Sequence, residues 1–153
     1  MNTQEDISNL LNRLLIESAD AKRGYQRVAE QISEPSLKGL FMSLSSQRDN
    51  FKKSIREEIR FLGGEPTQQL HDDGPVQEAF SSPDLLYALD TLEQTLKGCL
   101  NLEMKHLLLS EKMLNGSDFE VSTRNLLIGQ QESIKLSLAD IKKAQQDREL
   151  ISA

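Results

Sequence analysis

The chain has 153 residues, enough for one domain with a sizeable core. Hydrophobic residues make up 37% and charged residues 27%, which excludes a disordered polymer and fits an ordinary soluble domain. A net charge of −6 excludes the dense basic face that non-specific nucleic-acid binding needs.

The opening "MNTQEDISNLLNRLL" is polar and acidic, without the basic stretch and apolar core of a signal peptide. No apolar run approaches the ~20 residues of a membrane span. Cys99 is the sole cysteine, so no intrachain disulfide forms. Together these features lead us to expect a cytoplasmic protein. Cys99 lies in an apolar helical pattern and reads as a small buried hydrophobe.

Strand signals are nearly absent, and four segments show helical periodicity. The first covers 6–32, with Leu10, Leu14, Ala21, Val28 and Ile32 on one stripe and Leu11 and Tyr25 beside it. The second covers 35–62. Pro35 suits a first helical turn, and Gly63-Gly64 supplies the left-handed cap that ends it. Its stripe is Leu37, Phe41, Leu44, Phe51, Ile55, Ile59 and Leu62. The third covers 83–114, opening at Ser82-Pro83-Asp84 and stopping at Asn115-Gly116. Leu92, Leu96, Cys99, Leu107 and Leu114 belong to its stripe. The fourth covers 118–150 and opens on the capping box Ser117-Asp118-Phe119-Glu120. Leu127, Ile134, Leu138 and Ile141 follow on its core face.

Short links pair helix 1 with helix 2 and helix 3 with helix 4 as antiparallel neighbours. The link 63–82 is different. A helix of ~27 residues is about 40 Å long, and about twenty extended residues reach ~60 Å. This link can therefore run the length of the bundle. The expected fold is an all-α, ferritin-like antiparallel four-helix bundle with one long crossover between helices 2 and 3, in a single domain. "VQEAF" within the crossover has the composition of a short helix.

Each stripe carries a long polar residue near its middle: Glu17, Gln47, Glu103 and Gln131. Four such interruptions point to a polar layer across the bundle centre, whose burial is costly unless its members bond each other, a metal or water. Carboxylate-bridged metal sites in such bundles take Glu-x-x-His pairs from two helices. The corresponding positions here read Gln47-x-x-Asn50 and Gln131-x-x-Ile134, so a di-iron or di-manganese centre is not expected. A different pair, Glu103 and His106, stands three apart on helix 3. One reading is a mononuclear iron, manganese or zinc site built from Glu17, Glu103 and His106. The favoured reading is a hydrogen-bonded layer in which Gln47 and Gln131 donate to the two carboxylates, His106 faces outward, and no cofactor is held. Asp20 stands one turn from Glu17 as a solvated edge, and His71 with Asp72 and Asp73 belongs to a solvated loop. With one Cys and two His far apart, nucleophilic catalysis has no support.

The stretch "LLIESADAKRGYQRVAEQISEPSLKGLFMSLSSQRDNFKKSIREEIRFLGGEP", residues 14–66, resembles a bacterial family of uncharacterised ferritin-like four-helix-bundle proteins. The matching features are Asp20, Gly24-Tyr25, Leu37, Phe41, Gln47-Arg48, Phe51, Leu62-Gly63-Gly64 and Pro66. The second half is similar through Glu103, Gln131 and Ile134-Lys135, and the likeness extends over about 5–145. Ala139-Asp140 stands where the family often has a His-Asp pair. The resemblance implies a ferritin-like fold and a cytoplasmic bacterial protein, with iron handling or oxidative stress as the setting of ferritin-like relatives. The expected role is non-enzymatic contact with a protein partner or a second copy. The apolar residues Leu15, Leu108 and Leu109 off the main stripes suggest a second apolar face. Tyr25, Phe51 and Phe61 are assigned to the core.

Overall fold

The computed structural model describes residues 4–68 and 92–152. Four helices carry nearly all of them: α1 (Gln4–Gln31), α2 (Pro35–Phe61), α3 (Leu92–Gly116) and α4 (Val121–Ser152). There is no strand among the described residues. The fold is thus an all-helical, four-helix arrangement. Residues 83–91 of the expected third helix, most of the expected crossover, "VQEAF" and the His71-Asp72-Asp73 trio lie outside the described residues.

Local chemistry sets the α1–α2 hairpin. Pro35 occupies the first turn of α2, where its missing N–H costs nothing. The Glu34 carboxylate caps that turn, accepting from the backbone N–H of Ser36 at 3.1 Å and of Leu37 at 2.9 Å. Lys38 Nζ then donates to the Ala29 carbonyl at 2.7 Å, and Ser45 Oγ to the Lys22 carbonyl at 2.9 Å. At the other end, Gly63 N–H donates to the Arg60 carbonyl and Gly64 N–H to the Ile59 carbonyl. This Schellman pattern needs the left-handed φ of +83° that Gly63 adopts. A Cβ on Gly64 would collide with the Ser8 side chain, so the second glycine lets the chain close onto α1. Asn12 holds the segment that follows: its amide donates to the Glu65 carbonyl at 3.1 Å and its Oδ1 accepts from Thr67 N–H at 2.7 Å.

α2 also packs on α4. Glu58 accepts from Ser122 Oγ at 2.7 Å and Thr123 Oγ1 at 3.4 Å. α3 packs on α4 along its length, and Arg148 Nη2 reaches Glu93 Oε1 at 2.7 Å. α4 begins at Val121, three residues later than the Ser117 capping box suggests; the Glu120 carbonyl accepts its first helical bond, from Arg124 N–H.

The apolar core divides in two. One half gathers Ala21, Tyr25, Val28, Phe41, Leu44, Leu96, Cys99 and Ile141. The other gathers Leu11, Leu14, Leu15, Phe51, Ile55, Ile59, Leu107, Leu127 and Ile134. Each fully buried Leu, Ile or Phe contributes about 1.5–3 kcal/mol, so these two clusters supply most of the driving force. Leu15 is fully buried and belongs to the core rather than to a second face. Phe61 departs from its assignment: it sits at the last position of α2, past the packed stripe, and is 71% exposed. Cys99 is fully buried, and burial pushes its thiol well above the ordinary cysteine range. No described helix is long and apolar enough to cross a membrane.

Candidate functional site

The polar groups collect between the two apolar halves. The α2 core positions run 37, 41, 44, 48, 51, 55, 59 at spacings of three or four, so Arg48 falls in the middle of the buried face. Its side chain is fully buried. Arg48 Nη2 donates to Glu103 Oε2 of α3, which is also fully buried. Arg48 Nη1 donates to Gln47 Oε1 at 2.7 Å. The guanidinium lies over the Phe51 ring, 4.9 Å from its centroid, a cation–π contact inside the core. Gln47 continues the network onto α4: its amide donates to the Ser133 carbonyl at 3.1 Å, and Ser137 Oγ donates to Gln47 Oε1 at 3.1 Å. One cation thus ties α2 to α3, and the neighbouring amide ties α2 to α4. Burial pulls the Arg48 guanidinium below its usual range. An arginine starts so high that it stays protonated, and its charge here meets the Glu103 carboxylate.

The α1 side is built differently. α1 and α3 flank a cleft of about 540 Å³. Glu17 and Asp20 line its α1 wall, Lys105 and His106 its α3 wall. Glu17 is half-buried, with Arg13 Nε 3.7 Å away. Burial raises its carboxyl above the ordinary glutamate range, and Arg13, Lys105 and Arg48 only partly oppose this. His106 does not face outward, as the favoured layer arrangement required. It is 4% exposed, with its ring edge-on to Phe51 at a 6.3 Å centroid distance. Burial, reinforced by the positive charge of Arg48, pulls its pKa down to about 3, so the imidazole is neutral at physiological pH.

The family model described as a domain of unknown function (DUF2383) matches residues 6–115. The chain belongs to this family. The DUF2383 match spans α1, α2 and α3, and so takes in Arg48, Glu103, Glu17, His106 and both walls of the cleft. Comparison with the curated proteins finds no match.

The four mid-helix residues have different fates. Glu103 is fully buried and Gln131 nearly so, while Gln47 and Glu17 are half-buried. Glu103 and Gln47 meet through Arg48 rather than through each other. Glu17 stands at the cleft, beside Arg13. The amide of Gln47 goes to a backbone carbonyl of α4, not to a carboxylate. Among the described residues no group of three or more His, Cys, Asp or Glu side chains is placed to hold a metal ion. The donor set explains this: the one fully buried carboxylate already carries a guanidinium, and a divalent cation there would be set against Arg48. The residue the sequence reading missed is Arg48. Its signal was present in the three-four spacing between Leu44 and Phe51, which runs through position 48 and leaves Gln47 one position to the side.

Proposed function

We propose that this DUF2383 domain is a bacterial, cytoplasmic, ferritin-like antiparallel bundle with one long crossover between α2 and α3. In this reading it acts without catalysis, through protein contact in a stress-related role. The observation that carries the proposal is the Arg48–Glu103 pair at the bundle centre. A ferritin-like centre concentrates carboxylates so that metal ions can neutralise them. Here a protein cation neutralises Glu103, the fully buried carboxylate among the described residues, so the charge of that pair balances within the chain. The second reading, a mononuclear iron, manganese or zinc site on Glu17, Glu103 and His106, has in its favour only that Glu17 and His106 line the same cleft.

Elemental analysis of protein purified without chelator or histidine tag tests the choice. The expected result is metal below a tenth of an equivalent, unchanged in Glu103→Ala. Stoichiometric metal that disappears in that variant would establish the second reading instead.

Exposed apolar residues on α3 and α4, Met104, Leu108, Ile128 and Leu136, support the reading of contact with a partner or a second copy. Light scattering at rising protein concentration should show association for the native chain, reduced in Leu108→Glu. A monomer at all concentrations would remove self-association from the proposal.

A further inference from the structure

Among the described residues α1 packs on α2, α3 on α4 and α2 on α4, and the 540 Å³ cleft lies between α1 and α3. That volume falls within the usual range for small-molecule sites, ~300–1,000 Å³. Its apolar lining comes from Ile16 and Ala21 on α1 and Leu102 on α3. Polar groups of three kinds converge on it. Lys105 and Arg13 bring positive charge, and Glu17 brings a half-buried carboxylate. His106 brings a largely buried imidazole to the α3 wall. The Asn12 amide is not available, since both of its ends are spent on Glu65 and Thr67.

We propose that the α1–α3 cleft binds a free amino acid with an apolar side chain. The carboxylate is received by Lys105 and Arg13, with His106 completing its hydrogen bonds. The ammonium is received by Glu17, and the side chain rests on Ile16, Ala21 and Leu102. Both signs of charge on one cleft favour a zwitterion over a simple anion, because a bound anion without an ammonium would be set against the Glu17 carboxylate that lines the same cleft. The proposal shares Glu17 and His106 with the mononuclear metal reading but uses neither Glu103 nor a bound ion, so elemental analysis separates the two.

Titration of the full chain, followed by calorimetry and by amide NMR shifts, tests it with leucine, valine, methionine and phenylalanine as probes. The controls are 4-methylpentanoate, which lacks the amine of leucine, and 3-methylbutylamine, which lacks its carboxylate. At least one amino acid is expected to bind saturably, with shifts clustered on α1 and α3. Each control should bind about tenfold or more weakly than leucine, because a site built to pair a group rejects the analogue without it. Glu17→Gln should weaken amino-acid binding by a similar factor while leaving the melting temperature in place; the half-buried position tolerates the isosteric amide. Equal binding of 4-methylpentanoate and leucine would overturn the proposal in favour of a plain carboxylate site. No saturable binding of any of the four amino acids up to about 10 mM would overturn it outright.

Discussion

Arg48→Met is expected to cost about 3–5 kcal/mol of folding stability, because it strands the Glu103 carboxylate in the core. Small domains have only about 5–15 kcal/mol in total, so this variant stands near the edge of folding. The cost is not the energy of the ion pair. Removing one partner leaves the other buried and unpaired, and the desolvation of Glu103 is then uncompensated. The double variant Arg48→Met/Glu103→Leu removes both charges and fills the space with apolar atoms, and it should regain most of the loss or exceed the native stability. Urea titration of the native protein, the two single variants and the double variant gives the coupling directly. The exposed pair Lys135–Glu132 serves as a control, where solvent screening leaves little coupling. A loss below about 1 kcal/mol in Arg48→Met would mean that water reaches the centre and solvates Glu103. Gln47 adds a further expectation. Its carbonyl accepts from both Arg48 and Ser137, so the double variant frees one of its bonds without breaking the tie to α4.

The four helices were legible because their signals are local. Pro35, Gly63-Gly64 and the three-four spacing of Leu, Ile and Phe act within a turn or two of chain, and the backbone obeyed them. Glu103 was legible for the same reason: it sits on the line through Leu96, Cys99 and Leu107, and every residue of that line is buried. What escaped was depth and direction. Gln47 and Arg48 are adjacent long polar residues, and either could interrupt the α2 stripe. Arginine usually carries its charge to solvent, so the sequence favoured the amide. Only the carboxylate of Glu103, fifty-five positions away, makes burial of Arg48 tolerable, and that pairing is tertiary. His106 was placed outward for the same reason. Its spacing from Glu103 put it at the edge of the face, and the packing of α2 covered that edge with Phe51. On α1 the expected stripe is buried at Leu14, Ala21, Val28 and Ile32, but in its first half the buried face turns toward Leu11, Leu15 and Ser18 and away from Leu10 and Glu17. That shift moved Glu17 from the core line to the wall of the cleft. The α1–α3 cleft had no sequence signal, because it depends on distances between elements and not on the face of any one.

Folding stability is expected to fall by about 3 kcal/mol between pH 7 and pH 4 on account of His106 alone. The folded pKa of about 3 lies far below the ordinary 6.5. In this window the unfolded chain binds a proton that the folded chain refuses. Stability therefore rises with pH, is fully present above the unfolded value, and drains away as pH falls toward the folded one. The cause is structural: the ring is buried against Phe51, and Arg48, the cation nearest in effect, cannot give up its charge to accommodate a second. Glu17 faces the same cleft and works with the opposite sign. Its raised pKa means the folded state takes up a proton first, which offsets part of the loss near pH 5. Other carboxylates titrate in the same range, so the curve of the native protein alone does not isolate the histidine. The difference between native protein and His106→Gln does, since glutamine keeps the polar end and the approximate volume without titrating. Urea midpoints measured from pH 7 to pH 4 should converge, with the native protein losing its stability faster than the variant. Parallel curves would show an imidazole that protonates freely in the folded state and would refute the expectation.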